Sequence, residues 1–154
     1  MRSNHRMKHA AVVAATTVAA ALSAAPPAIA ADSAPKSPTA ALAVPHCDSA
    51  GYTASGDPRQ RCTSLDNGKL FHSKQGGSTT TPIFTQYYKT GGSRITAKLG
   101  YSMSGSTHWG ASVSISSGGS SKKTWNPAGD RECLNSVGLL SYAGGSFQTP
   151  ATHC

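Results

Sequence analysis

Histidine and cysteine are the residues of this chain whose types and spacing come closest to a metal site. His46 directly precedes Cys47 and His153 directly precedes Cys154, so two imidazoles would meet if the ends of the folded domain meet. Zinc favours nitrogen and sulfur ligands of this kind. Oxidised cysteines, however, supply no thiolate, and the sequence contains no Cys-x-x-Cys pair. We therefore expect neither a metal site nor a bound cofactor, and we assign the cysteines to disulfides.

The four cysteines form an even set, which in an oxidising exterior predicts two disulfides. Three connectivities are possible from sequence alone. The simplest joins Cys47 to Cys62 and Cys133 to Cys154, so that each bond closes a short loop near one end of the domain. Each bond would then stabilise the fold by roughly 3 kcal/mol, because it restricts the unfolded chain.

Acid–base catalysis would need carboxylates, and the chain carries only five of them after residue 46. Asp57 precedes a proline and Asp66 precedes an Asn-Gly pair, which is the placement of turn-forming residues. Asp130 and Glu132 lie in a turn-rich stretch ahead of the third cysteine. We interpret these two carboxylates as part of a solvated loop rather than as a glycosidase pair.

Nucleophilic serine chemistry is not supported either. The Gly-x-Ser-x-Gly elbow of esterases is absent from the sequence. Ser120-Ser121-Lys122-Lys123 and Lys89-Thr90-Gly91 match two elements of penicillin-recognising enzymes, but they occur in the wrong order and the Ser-Asp-Asn element is missing. The sequence therefore predicts no catalytic residues and a non-enzymatic protein.

Aromatic side chains offer a different chemistry, because flat rings stack on sugars and on nucleobases. Tyr101, Trp109 and Trp125 are candidates for carbohydrate contact. Trp109 leads an apolar strand face, however, and is therefore expected in the core. Tyr87 and Tyr88 would be the stacking platform of a nucleic-acid interface.

The basic residues that a nucleic-acid interface would need are dispersed along the chain. We expect them on solvated strand faces, and we expect His72 and His108 to face solvent as well. The sequence therefore predicts no nucleic-acid partner. The basic residues in question are Arg59, Arg61, Lys69, Lys74, Arg94 and Lys98.

The first thirty residues have the features of an export signal. Three basic residues are followed by a small, apolar run over 10–22, and Ala28-Ile29-Ala30 fits a signal-peptidase site. We therefore assign 1–30 to a signal peptide and expect a secreted, extracellular protein. The apolar run is too short to span a bilayer, so we expect no membrane insertion. Cleavage would remove three of the 14 basic residues and no acidic residue, which lowers the net charge from +8 to +5.

Residues 31–46 form a flexible Ala/Pro-rich leader, in which repeated prolines exclude a helix. Leu42 and Val44 would share one face of an extended segment, and such a segment can add a strand to a partner's sheet. A mobile spacer left after export is an equal alternative. The candidate partner-binding residues are Thr39, Ala40, Ala41, Leu42, Ala43, Val44, Pro45 and His46.

Residues 47–154 form one domain, in which apolar and polar residues alternate as in half-buried β-strands. The alternation is clearest over 95–101 and 109–115. Weaker strands are predicted at 69–74, 81–89, 120–125, 134–142 and 147–149. Glycine-containing pairs suited to tight hairpins separate these runs, namely Asn67-Gly68, Gly76-Gly77, Gly91-Gly92, Gly118-Gly119 and Gly144-Gly145. We therefore predict an all-β fold, a small antiparallel meander closed into a β-sandwich or a barrel with two disulfides.

Three stretches carry a resemblance to a known group of proteins: 62–70 (CTSLDNGKL), 88–101 (YKTGGSRITAKLGY) and 147–150 (FQTP). They resemble small exported proteins of filamentous actinobacteria, which include the small adaptor subunit of umbrella toxin particles. The resemblance implies a non-enzymatic bridge between a lectin-like subunit and a large, repeat-bearing toxin polypeptide. It also implies that the segment ahead of the first cysteine, here 39–46, enters a cleft of one partner.

Two functions of different classes follow. The first is an adaptor that bridges secreted proteins of an extracellular toxin or antibacterial complex through its leader. The alternative is a free-standing carbohydrate or cell-wall binding module, which the aromatic residues and the cationic balance favour. A direct cationic antimicrobial action is less well supported, because charges spread over strands form no amphipathic membrane face.

Overall fold

The computed structural model describes residues 43–154. Within that range the protein is built from nine β-strands and turns, with no α-helix. No helix in the described range is long and apolar enough to cross a membrane. The predicted signal peptide and the leader as far as Leu42 lie outside the described residues. The strands are β1 (Gln60–Leu65), β2 (Gly68–Lys74), β3 (Ile83–Lys89), β4 (Ile95–Met103), β5 (Ser106–Trp109), β6 (Val113–Ile115), β7 (Ser120–Trp125), β8 (Ser136–Tyr142) and β9 (Gly145–Gln148).

Two antiparallel sheets pack face to face, which confirms the predicted all-β sandwich. The first sheet has the order β1-β2-β3-β7, and the second has the order β5-β4-β8-β9 with β6 also paired to β4. The chain is not a simple meander, because β7 returns to β3 and β8 returns to β4. Each return pairs the later strand with one that still has a free edge.

Alternate residues of each strand fill the space between the sheets. Leu70, Ile83 and Leu140 are fully buried, and each stabilises the fold by about 1.5–3 kcal/mol relative to an exposed side chain. The remaining buried apolar side chains of the two clusters are Tyr87, Ala97, Leu99, Tyr101, Met103 and Ile115. The strand β1 had no counterpart in the prediction, whereas each predicted run overlaps at least one strand.

Trp109 lies on the face opposite to the one predicted, and the run 109–115 is two strands rather than one. Trp109 of β5 pairs with Gly100, whereas Val113 of β6 pairs with Ala97, so the edge has one residue more than β4 over this interval. A bulge of one residue exchanges the two faces of the strand. Val113 and Ile115 therefore pack against the core, while Trp109 points outward and is 45% exposed.

His72 is buried between the sheets, so its predicted solvent position is wrong. Its Nδ1 lies 3.1 Å from Thr85 Oγ1, which donates to Gly100 O at 2.9 Å. Its Nε2 lies 2.9 Å from Ser136 Oγ, which is 2.8 Å from Thr152 Oγ1. These polar partners satisfy the imidazole on both sides and explain why a histidine occupies an inward position.

The imidazole occupies space that a glycine leaves on the facing sheet. A Cβ at Gly138 of β8 would lie 2.5 Å from His72 Cβ, so no other residue fits there without a shift of the sheets. Burial, and secondarily the charge of Lys74, lowers the pKa of His72 to about 3. The ring is therefore neutral at pH 7. His108 is exposed as predicted and stacks on Tyr101 with ring centroids 4.7 Å apart.

Arg61 and Lys74 are also buried, although both were expected on solvated faces. Arg61 lies on the edge strand β1, and Lys74 and buried Lys89 are the last residues of β2 and β3. At these places nearby loop carbonyls need donors. Burial lowers the pKa of Lys74 to about 8. The cations donate to main-chain carbonyls of Gly51 and Ala50 (Arg61), Leu134 (Lys74) and Gly91 (Lys89).

The predicted local disulfide pairing is confirmed. Cys47 is bonded to Cys62 and Cys133 to Cys154, with Cα–Cα distances of 5.8 and 4.8 Å. Arg59 ties the two disulfide-bearing ends together, because its guanidinium pairs with Asp57 at 2.9 Å and with Glu132.

The buried histidine predicts a specific loss of stability in mild acid. An unfolded histidine has a pKa near 6.5, whereas that of folded His72 is about 3. Between these two pH values the unfolded state binds a proton that the folded state does not bind. We expect the free energy of unfolding to fall by roughly 2–3 kcal/mol between pH 7 and pH 4.5. Urea denaturation at a series of pH values measures this.

The control variant is His72→Gln, which keeps a polar side chain but cannot titrate. It should be less stable than the native protein at pH 7 and nearly insensitive to pH over the same interval. Asp57 does not interfere, because its hydrogen bonds with Arg59 hold the pKa of its carboxyl below 3.8. An equal pH slope in both proteins would contradict the assignment to His72.

Candidate functional site

The first disulfide determines where the leader meets the folded domain. Cys62 of β1 shares a sheet face with Phe71 of β2, its register partner. That face is the outer one, because the adjacent His72 points between the sheets. The bond to Cys47 therefore brings the chain onto the outer face of the first sheet.

Residues 43–46, the described part of the leader, form no strand. Val44 is half-buried, whereas Ala43, Pro45 and His46 are exposed. Lys69 Nζ donates to the carbonyl oxygen of Pro45 at 3.3 Å and holds the segment beside β2. The leader thus reaches the domain without pairing to either sheet over these residues.

A cleft of about 290 Å³ opens where the leader meets the sheet. Phe71 and Tyr88 form its apolar wall, with ring centroids 5.5 Å apart in an edge-to-face arrangement. Amide and hydroxyl groups supply much of the rest of the lining, together with two histidines, a proline and an alanine. The lining residues include Pro45, His46, Gln60, Phe71, Gln86 and Tyr88.

Cations dominate the charge of this face. Lys122 of β7 lies over the Phe84 ring, with its Nζ 4.0 Å from the ring centroid, and Lys69 lies beside Pro45. No carboxylate is among the described residues that line the cleft. An aromatic wall with amides and flanking cations suits an extended peptide, whose backbone hydrogen-bonds while its side chains pack on the rings.

The structure describes only part of the predicted partner-binding segment. Thr39, Ala40, Ala41 and Leu42 lie outside the described residues. Of the described residues Ala43, Val44, Pro45 and His46, only the last two line the cleft. Within 43–154, no group of three or more His, Cys, Asp or Glu side chains is placed to hold a metal ion.

Comparisons with protein-family models, with curated proteins and with solved structures each find no match. Function is therefore inferred from the residues of this chain and their geometry.

Phe71 and Gln86 are cleft residues that the sequence reasoning missed, and Tyr88 was considered only for nucleic-acid stacking. Their signal is the alternation of β2 and β3, in which each of them neighbours a buried residue. The same alternation separates the two tyrosines that were considered as one platform. Tyr87 points inward and donates to Asn67 O at 3.1 Å, and only Tyr88 faces the cleft.

The candidate sugar-contacting aromatics also separate. Tyr101 is buried in the core and Trp125 is half-buried beside it, with ring centroids 5.0 Å apart. Trp109 alone among these three is exposed. A shared aromatic platform of the three residues is therefore excluded.

Removal of the first disulfide should detach the leader from the cleft. We expect Cys47→Ser/Cys62→Ser to lose roughly 3 kcal/mol of unfolding free energy and to increase amide hydrogen exchange over residues 47–53. Denaturation and exchange mass spectrometry measure the two effects.

The matched control is Cys133→Ser/Cys154→Ser, which removes a disulfide that closes a loop of similar length. It should lose a similar free energy while leaving exchange over 47–53 unchanged. Equal exchange in the two variants would show that the first disulfide does not position the leader.

Proposed function

We propose that this protein is a secreted, non-enzymatic adaptor that bridges subunits of an extracellular toxin or antibacterial complex. It binds one partner through residues 39–46 and the adjoining cleft, and a second partner through another surface of the folded domain. The observation that carries the proposal is the position of residues 43–46, the described part of the leader, which meets an aromatic cleft without being paired to a strand of its own domain.

The leader has the chemistry of a segment that orders on binding. Residues 39–44 are uncharged and lack glycine, and a proline follows them. Such a segment gains main-chain hydrogen bonds when it joins a partner's sheet. The cleft adds a folded contact directly beside it, because Phe71 and Tyr88 remain available to pack against the same partner.

The folded domain supports a binding role over a catalytic one. Glu132 and Asp57 are held by Arg59, and His72 is neutral and enclosed by Thr85 and Ser136. These groups therefore act in stability. The two disulfides suit an oxidising exterior, in which such a complex would assemble.

The partners follow from the resemblance of 62–70, 88–101 and 147–150 to umbrella toxin adaptors. On that basis one partner is a lectin-like subunit and the other is a large toxin polypeptide. The leader would enter a cleft of one of them, and the rigid sandwich would set the distance to the other.

Capture from the growth medium of the source organism tests the adaptor. The native protein, immobilised after cleavage of the signal, should retain two different polypeptides. Replacement of 39–44 by an equally long Gly-Ser segment should reduce one of them at least tenfold and leave the other unchanged. Quantitative mass spectrometry measures both.

Three further variants sharpen the result. Phe71→Ala and Tyr88→Ala should reduce retention of the partner that depends on the leader. Ser114→Ala, a change at an exposed residue of the second sheet, should reduce retention of neither partner. Retention of both polypeptides by the Gly-Ser variant would remove the leader from the mechanism. A single polypeptide captured by the native protein would replace the adaptor with a simple binder.

A further inference from the structure

The outer face of the second sheet presents an exposed aromatic side chain that belongs to neither core cluster. Among residues 43–154, Trp109 and Leu134 are the exposed large hydrophobic side chains. Trp109 lies on a sheet whereas Leu134 lies in a turn. Large apolar side chains at strand positions normally face the core, so this tryptophan calls for an explanation.

A glycine seats the indole on the sheet. Trp109 is the register partner of Gly100, and a Cβ at that position would lie 2.6 Å from the indole Cε3. The ring therefore rests over the glycine and stays in place without entering the core. An exposed ring held in this way presents apolar surface to a ligand at little cost in side-chain entropy.

The ring forms one wall of a small cleft that crosses the sheet. One row of paired residues crosses β5, β4, β8 and β9 and consists of Trp109, Gly100, Leu139 and Gln148. The cleft has a volume of about 170 Å³. That space corresponds to about six waters at roughly 30 Å³ each, which is the scale of one sugar ring. Ser146 also lines the cleft and supplies a hydroxyl.

The charge beside the cleft is positive. Lys98 shares the outer face of β4 with Gly100, two residues away. The five carboxylate side chains of the described range all lie outside the strands of this sheet. The surface is therefore complementary to an anionic ligand.

We propose that Trp109 and its surroundings bind an anionic polysaccharide. One sugar ring stacks on the indole, hydroxyls bond with Gln148 and Ser146, and acidic groups of the same or the next sugar lie near Lys98. A protein partner fits less well, because stable protein interfaces bury about 800 Å² per partner around an apolar centre, whereas this single ring borders a small cleft lined by Leu139, Ser146, Phe147 and Gln148. The site lies on the sheet opposite the leader and is independent of it.

Polygalacturonate and its fully methyl-esterified form are the matched probes, because they differ in charge but share the sugar. We expect the native protein to bind polygalacturonate more tightly at low salt. Trp109→Ala should weaken its binding about tenfold or more, and Trp109→Phe should weaken it less. Lys98→Gln should weaken binding of polygalacturonate and leave that of the ester unchanged. Calorimetry and tryptophan fluorescence measure these effects.

Phe71→Ala is the control on the opposite sheet and should bind polygalacturonate as the native protein does. Equal affinity of Trp109→Ala and the native protein, or no binding of polygalacturonate at all, would overturn the proposal. Loss of a captured protein in Trp109→Ala without glycan binding would assign the face to a protein contact and also overturn it. None of these outcomes depends on the leader, so the glycan site and the proposed adaptor function are tested separately.

Discussion

The hydrogen-bond chain through His72 is the interaction on which the arrangement of the two sheets depends. On one side, Ser136 of the second sheet contacts the imidazole and is itself hydrogen-bonded to Thr152 of the C-terminal segment. On the other side, Thr85 of the first sheet contacts the imidazole and donates to Gly100 O. Because every group is buried, loss of one partner leaves others unsatisfied, at about 1–3 kcal/mol for each. The chain therefore selects one relative placement of the sheets among those that an apolar core alone would tolerate.

The loops around this centre are held by charge and by covalent bonds. Arg59 connects the segment before β1 with that before Cys133, and the two disulfides close the ends. Arg61, Lys74 and Lys89 donate to nearby loop carbonyls. With the loops satisfied internally, the two outer faces remain available for different partners.

Local patterns in the sequence predicted the sandwich, most strands and the disulfide pairing, because each depends on neighbouring residues. The alternation of Ile95, Ala97 and Leu99 is enough to place β4. The position of His72 could not be predicted in this way, because it depends on Gly138 and Ser136, more than sixty residues along the chain. The structure describes half of the candidate leader segment, residues 43–46. The cleft could not be predicted from local patterns, because it depends on the pairing of β2 with β3.

The bulge between Trp109 and Val113 shows how a small irregularity of the chain can separate a recognition surface from the core. The edge beside β4 thereby presents Trp109 on the outer face and Val113 on the core face. In a regular strand these two residues, four apart, would share one face, so the hairpin between β4 and β5 that holds Trp109 outward would also turn Val113 away from the core. One extra residue at a sheet margin therefore combines an exposed aromatic ring with a filled core, while β4 and the strands beyond it keep their register.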